Sequence, residues 1–278
     1  MLANKALIVS LKISQWGARK FDRNATTTVE SSFATSGKVG NYTKKLLPGA
    51  KELEDIQRLS NNLRTFFHEQ TLPWLSDGSR ILSSKNYLDF TAQFRVKKQE
   101  FEQAVSQFLL QYPVLRERSK ILLGSLFKET DYPSEQYLKK AFACKIAFMP
   151  VPNIDDFRVQ ILDEEKEVFL SKMKDAETGI IKDCWTRLHT IVSKAADRLK
   201  QPDAIFRDSL IQNITDMCAL LPKLNNNDDT DLETMRIQVE NVVSGISASD
   251  CREVPATRNE AAKKLDDMTS KMSAFMGA

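Results

Sequence analysis

Apolar side chains recur along most of this chain at steps of three and four, the spacing that places them on one face of an α-helix. After Pro48-Gly49 the stripe is Leu53, Ile56, Leu59, Leu63 and Phe66. Glu52, Glu54 and Asp55 stand in its first turn, where the helix dipole favours acids, so a helix is predicted up to Pro73. Phe94, Phe101, Val105 and Phe108 predict a second helix over 88–111, closed by Tyr112-Pro113. A third is expected over 114–127, and Ser134 caps a short fourth. Beyond Asp163-Glu164-Glu165 the pattern is helical again. Ile181, Trp185, Leu188, Val192, Ala195 and Leu199 mark a long helix to about 200, loosened at Gly179. Pro202 opens the next, with Phe206, Leu210, Ile214, Met217 and Leu221. Thr230 with Glu233, and Thr257 with Glu260, read as capping boxes for two more helices. The last of these carries Ala261, Leu265, Met268, Met272 and Phe275.

The period shortens to two in only two places. Residues 6–14 (ALIVSLKIS) read as a strand. Residues 142–162 hold two alternating runs around a Pro- and Asp-rich turn, predicting a hairpin or two nearby strands, 143–149 and 157–161. An isolated hairpin is marginal in water, so the first strand is the expected third partner. The predicted fold is mainly α: helical bundle halves around a small antiparallel β-sheet of about three strands. Residues 1–162 are expected as a basic helical domain holding the sheet, and 163–278 as an acidic helical bundle.

Between the first two predicted helices lies TLPWLSDGSRILSSKNYLDF, residues 71–90. It is longer than an ordinary helix connection, which runs about two to eight residues. Leu72, Trp74, Ile81 and Leu82 can pin it, and Asp77-Gly78 supplies a tight turn. Packing does not account for Arg80, Lys85 and Tyr87, which become candidates for contact with DNA or protein.

Composition is globular, 42% hydrophobic and 28% charged, and only 9 Gly and 9 Pro in 278 residues favour long helices. Net charge is +3 but uneven: +9 over residues 1–150 and −6 over the remainder. The basic half can face a polyanion, or the halves can attract one another within a chain or head to tail between chains. No apolar run approaches the roughly 18 residues of a membrane span. Lys12 breaks the N-terminal apolar run, which is therefore read as structured rather than as a leader. Cys144, Cys184, Cys218 and Cys251 are scattered, so reduced thiols in a cytoplasm are expected.

Catalytic patterns are weak. SGKVG at 36–40 lacks the Gly at 32 and the Ser or Thr at 39 that a phosphate loop needs. His68 reads as a C-terminal helix cation and His189 as a helix-face residue beside Trp185. Asp155, Asp156, Asp163, Glu164 and Glu165 are close in sequence and would suit Mg²⁺, but they are also what a hairpin turn and a helix start use. No metal site, cofactor or enzymatic activity is assigned. Residues 16–45 are more suggestive. Trp16, Arg19, Lys20, Phe21 and Arg23, then Lys38, Tyr42, Lys44 and Lys45, mix aromatic rings with cations, as single-strand binding requires. The alternative is a basic arm docked on the acidic half. Met268, Met272 and Phe275 are candidates for an oligomer interface, since Met-rich faces adapt to partners.

Taken together, ISQWGARKFD (13–22), the 71–90 stretch, DYPS (131–134) and FMPVPNIDDFRVQILDEE (148–165) resemble an uncharacterised phage and mobile-element protein family, a domain of unknown function. The resemblance covers about residues 7–170. Genes of that family often lie near a MoxR-type AAA+ ATPase, a von Willebrand-type protein or phage recombination genes. The resemblance implies a role in mobile-element DNA metabolism in the cytoplasm of a bacterial host. It supplies no catalytic residues. The expectation is a non-enzymatic homo-oligomer that binds single-stranded DNA or assists recombination. The alternatives are an adaptor or scaffold for the AAA+ ATPase, or an oligomeric structural protein.

Overall fold

The computed structural model describes residues 2–75, 78–153, 162–201 and 207–276. It is mainly α-helical with a small antiparallel sheet, as the hydrophobic periods require. In chain order the elements begin with β1 (Ala6–Ser14), β2 (Arg19–Phe21), α1 (Arg23–Ser32) and β3 (Thr43–Lys45). Then come α2 (Lys51–Gln70), β4 (Leu72–Pro73), β5 (Ser79–Ser83), α3 (Tyr87–Leu123), α4 (Glu135–Ala141) and β6 (Ala143–Pro150). The rest is α5 (Asp163–Lys200), α6 (Ser209–Leu224), α7 (Thr230–Ser244), α8 (Ala248–Glu253) and α9 (Pro255–Met276).

Several boundaries differ from the sequence reading. The helices expected over 88–111 and 114–127 are one, α3, with Pro113 inside it. Proline removes one backbone donor. Here it sits on the exposed side, while Tyr112 and Leu115 beside it are buried and hold both halves to the core. α5 likewise runs unbroken through Gly179. Asp229, not Thr230, caps α7, accepting the N–H groups of Asp231 and Leu232 at 2.9 and 3.0 Å. α9 opens on Pro255, whose fixed φ suits a first helical position, two residues before the expected Thr257 box.

Among the described residues a four-stranded sheet has the order β4-β5-β1-β6. Strands 6–14 and 143–150 match the expectation. The expected strand over 157–161 lies outside the described residues. Among the described residues β1 has an unforeseen partner, from the 71–90 stretch. β4 and β5 form a hairpin with Leu72 opposite Ile81, and β5 pairs with β1 from Ala6↔Ser83 to Ser10↔Ser79. Gly78, at φ 83°, provides the left-handed turn. Leu72, Ile81 and Leu82 are fully buried, so the apolar anchors act as strand residues.

The chain divides into two compact units, and not at residue 162 as composition suggested. One comprises Met1–Ser10, Phe67–Thr91 and Ala147–Ala278. In it α5 packs along α9 and against α6 and α7, and β4 packs on α5. Its core runs through Ile180, Trp185, Leu188, Val192, Ile214, Leu265 and Met272, together with Ile8, Leu72 and Ile81 of the sheet. The N-terminal strand and the 71–90 hairpin join this unit because their apolar faces pack into that core. The other unit comprises Leu11–Phe66 and Ala92–Ile146. Phe101, Phe108, Ile56, Leu63 and Leu138 are its most buried side chains. Trp16 lies on Phe108 and Tyr112, with ring centroids 6.4 and 6.0 Å apart. This second unit holds 20 Lys+Arg against 11 Asp+Glu, a net +9; the first holds 20 against 26, a net −6. The charge asymmetry thus belongs to the folded units and not merely to the sequence halves.

Candidate nucleic-acid interface

Residues 19–45 form a β-α-β arm in the basic unit. β2 and β3 pair antiparallel, with Arg19 opposite Lys45, Lys20 opposite Lys44 and Phe21 opposite Thr43. The ribbon is closed at its ends: the Asp22 N–H donates to Tyr42 O at 2.9 Å, and the Leu46 N–H to Ala18 O at 2.8 Å. Asp22 also caps α1, accepting the Ala25 N–H at 3.1 Å. Thr26 ties the helix to the returning chain: its hydroxyl accepts the Tyr42 N–H at 2.9 Å.

Lys44 anchors the arm. Its side chain is 1% exposed, and its ammonium lies 2.9 Å from Asp22, 2.8 Å from Asp131 and 2.6 Å from Leu126 O. The Lys44 hydrogen bond, seconded by the Ala25 N–H, holds the Asp22 carboxyl at about 2. Burial alone would lower Lys44, but its bonds to Asp131 and Asp22 outweigh that and raise it. Lys44 is therefore a structural cation, and its placement corrects the expectation that it contacts phosphate. The same buried network neutralises Asp22, removing one of only two acids between residues 19 and 45.

What remains outside is cationic and aromatic. Arg19, Lys20, Arg23, Lys38 and Lys45 are exposed and, among the described residues, join no ion pair. Arg19 and Lys45 stand directly across the ribbon, a like-charge pair that costs stability unless an anion meets it. Phe21 is 49% exposed, Tyr42 39% and Phe33 77%. Along α1 an open cleft of about 610 Å³ is lined by Arg23, Asn24, Thr27, Thr28, Ser31 and Ser32, a guanidinium with hydroxyl donors. Trp16 departs from the expectation, since its ring is half-buried on Phe108 and Tyr112. Phe33 was missed because a single aromatic in a Ser- and Thr-rich segment carries no periodic signal.

The three candidates of the 71–90 stretch belong to the other unit, and two of them are engaged by its own chain. α2 ends at Gln70 with carbonyls that no further turn can satisfy. Arg80 donates to Thr71 Oγ1 at 2.7 Å, Thr71 O at 2.8 Å and His68 O at 3.3 Å. Arg187 of α5 adds bonds to Glu69 O at 2.6 Å and Thr71 O at 2.8 Å, and its Nε lies 2.6 Å from Asp183. Burial, then the Arg80 and Arg187 charges, lower the His68 pKa, so His68 does not supply a helix-terminal cation. Lys85 lies 2.6 Å from Asp228, which also takes Lys5 at 2.6 Å. The hydrogen bonds from Lys5 and Lys85 hold Asp228 at about 2. Tyr87 meets Phe148 edge-on at 5.5 Å.

The terminal helix also departs from expectation. Met268 and Met272 are buried in their own bundle, and Phe275 stacks on Trp185 with centroids 4.9 Å apart and planes 7° apart. The two methionines close the chain's own core rather than offering a free face, while Phe275 keeps 46% of its surface exposed. Among the described residues no group of three or more His, Cys, Asp or Glu could hold a metal, and no helix is long and apolar enough to cross a membrane. Asp155 and Asp156 lie outside the described residues. His189 has Ser273 Oγ at 3.3 Å. All four cysteines are buried and free, and burial pushes the Cys184 thiol up to about 12. No family model matches the chain, and no curated protein or solved structure matches it.

Proposed function

We propose that the chain binds single-stranded nucleic acid through the 19–45 arm, as a non-enzymatic component of phage or mobile-element DNA metabolism. The observation that carries this reading is the exposed set of five cations, in no ion pair among the described residues, interleaved with Phe21, Phe33 and Tyr42 on one anchored arm. Cations meet phosphates, and rings stack on bases irrespective of sequence. Arg19, Lys20, Phe21, Arg23 and Lys45 sit on the ribbon and helix, so backbone pairing holds them in place before a ligand arrives, while Phe33, Lys38 and Tyr42 lie on the connection between α1 and β3. The phage setting rests on the family resemblance.

The test uses a fluorescent oligothymidylate and anisotropy. Arg19→Glu with Lys20→Glu should weaken binding at least tenfold, because two attractive contacts become repulsive. Lys85→Glu, at a lysine already paired with Asp228, should leave binding within about twofold once folding is confirmed. Equal losses from both variants would refute the assignment to the arm.

A further inference from the structure

The outer face of α3 carries apolar side chains that the chain leaves uncovered. Within the basic unit Val96 is 57% exposed, Leu110 71%, Val114 64% and Ile121 84%. At 100° per residue the four fall within about 40° of one another, on a stripe about 38 Å long. Leu110, Val114 and Ile121 make an exposed apolar run of the kind that marks an interaction surface, and the exposed Gln103 and Gln107 on the same face separate it from Val96. Its borders are charged in an ordered way. Glu100 and Arg118 lie about 80° to one side of Leu110, and Glu102 and Lys120 about 80° to the other. In these four residues the acid precedes Leu110 and the base follows it at nearly equal distances; Arg95 also stands on the Glu102 border, next to Val96, and the exposed Glu117 lies within about 20° of Leu110. Glu100, Arg118 and Lys120 join no ion pair among the described residues. Glu102 reaches only Lys98, at 3.5 Å, and stays 60% exposed.

We propose that this face is the contact between two copies of the chain, their α3 helices packed antiparallel about a two-fold axis near Leu110. Such an axis reverses direction and sets each border against its own counterpart. Glu100 of either copy then lies beside Arg118 of the other, and Glu102 beside Lys120. Leu110 meets its equivalent at the axis, and Ile121 falls within a turn of Val96. A parallel pair would instead oppose like charges along its length. A uniformly acidic partner would confront Glu100 and Glu102, and a basic one Arg118 and Lys120. The charge order is self-complementary, and a second copy supplies it. This contact is distinct from the terminal-helix interface expected from the methionines and independent of nucleic acid.

Sedimentation equilibrium of the full chain over a range of concentrations, without nucleic acid, tests it. The expected result is a concentration-dependent dimer. Leu110→Asp with Ile121→Asp should give a monomer that still unfolds cooperatively, since both residues are exposed on the single chain. Glu100→Lys alone and Arg118→Glu alone should each weaken association about tenfold or more, because each sets two like-charged pairs face to face. The combined variant should recover most of the loss. A parent chain that stays monomeric throughout overturns the proposal. So does a dimer indifferent to the aspartates, or a combined charge variant weaker than either single one.

Discussion

Replacing Lys44 by Met would test whether the buried ion network holds the arm. Methionine keeps most of the side-chain volume but removes the ammonium shared by Asp22, Asp131 and Leu126 O. Asp22 would retain the Ala25 N–H and the distant Lys128, 3.9 Å away. Asp131, 9% exposed, would lose its ion-pair partner. Removing one member of a buried charge network costs roughly 3–5 kcal/mol, because the remaining charges stay desolvated. For a chain of this size each kcal/mol shifts Tm by about 2–4 °C, so a fall of roughly 6–20 °C is expected in the transition of the basic unit. Calorimetry with urea titration reads both quantities. Adding Asp22→Asn and Asp131→Asn to Lys44→Met should recover much of the loss, since a buried ion network can be replaced as a whole at little cost. A Lys44→Met protein within about 1 kcal/mol of the parent would refute the reasoning. The same network sets a pH dependence. The Asp22 pKa is depressed from 3.8 to about 2, so its stabilisation is present at neutral pH and is lost as pH falls from about 4 towards 2. Lys44 is raised above 10.5, so its contribution persists below that value and is lost only in stronger alkali.

The other predictions concern separate parts of the molecule. Arg187→Ala leaves the carbonyl of Glu69 short of a donor and Asp183 without this ion partner, and should cost about 1–3 kcal/mol in urea unfolding of the acidic unit. Met272→Ala opens a cavity beneath α9 and should cost about 2–5 kcal/mol while leaving the molecular mass in solution unchanged. An interface role for Met272 would show the reverse pattern. Phe33→Ala should leave the melting curve alone, as an exposed substitution does, yet weaken oligonucleotide binding by about 1–3 kcal/mol for one lost base stack.

The long helices were legible because each has an apolar stripe, whereas α1 and α8, which have none, were not; β1 was legible because period two is distinctive over nine residues. The β4–β5 hairpin was hidden. Leu72-Pro73 is too short to show a period, and Ile81-Leu82 looks like a pair of loop anchors. Pro113 and Gly179 misled in the other direction, since residues buried on either side can carry a helix through a weak position. For the arm, residue types located the exposed cations but could not tell Lys44 from Lys45. Adjacent strand residues face opposite ways, and the acids that bury Lys44 come from positions 22 and 131. The cations of the 71–90 stretch looked unexplained because their acceptors are helix-terminal carbonyls and Asp228, which no local pattern reveals.

The central claim is that exposed cations of the arm meet a polyanion, and the salt dependence of oligothymidylate binding tests it most directly. If the five exposed arm cations each neutralise one phosphate, log K falls against log salt with a slope of about −3.5 for a single strand. Affinity should then drop roughly 100-fold between about 50 and 200 mM salt. Arg19→Glu with Lys20→Glu should flatten that slope by at least about 1.4. No binding at low salt, or a slope the variant leaves unchanged, would contradict the account.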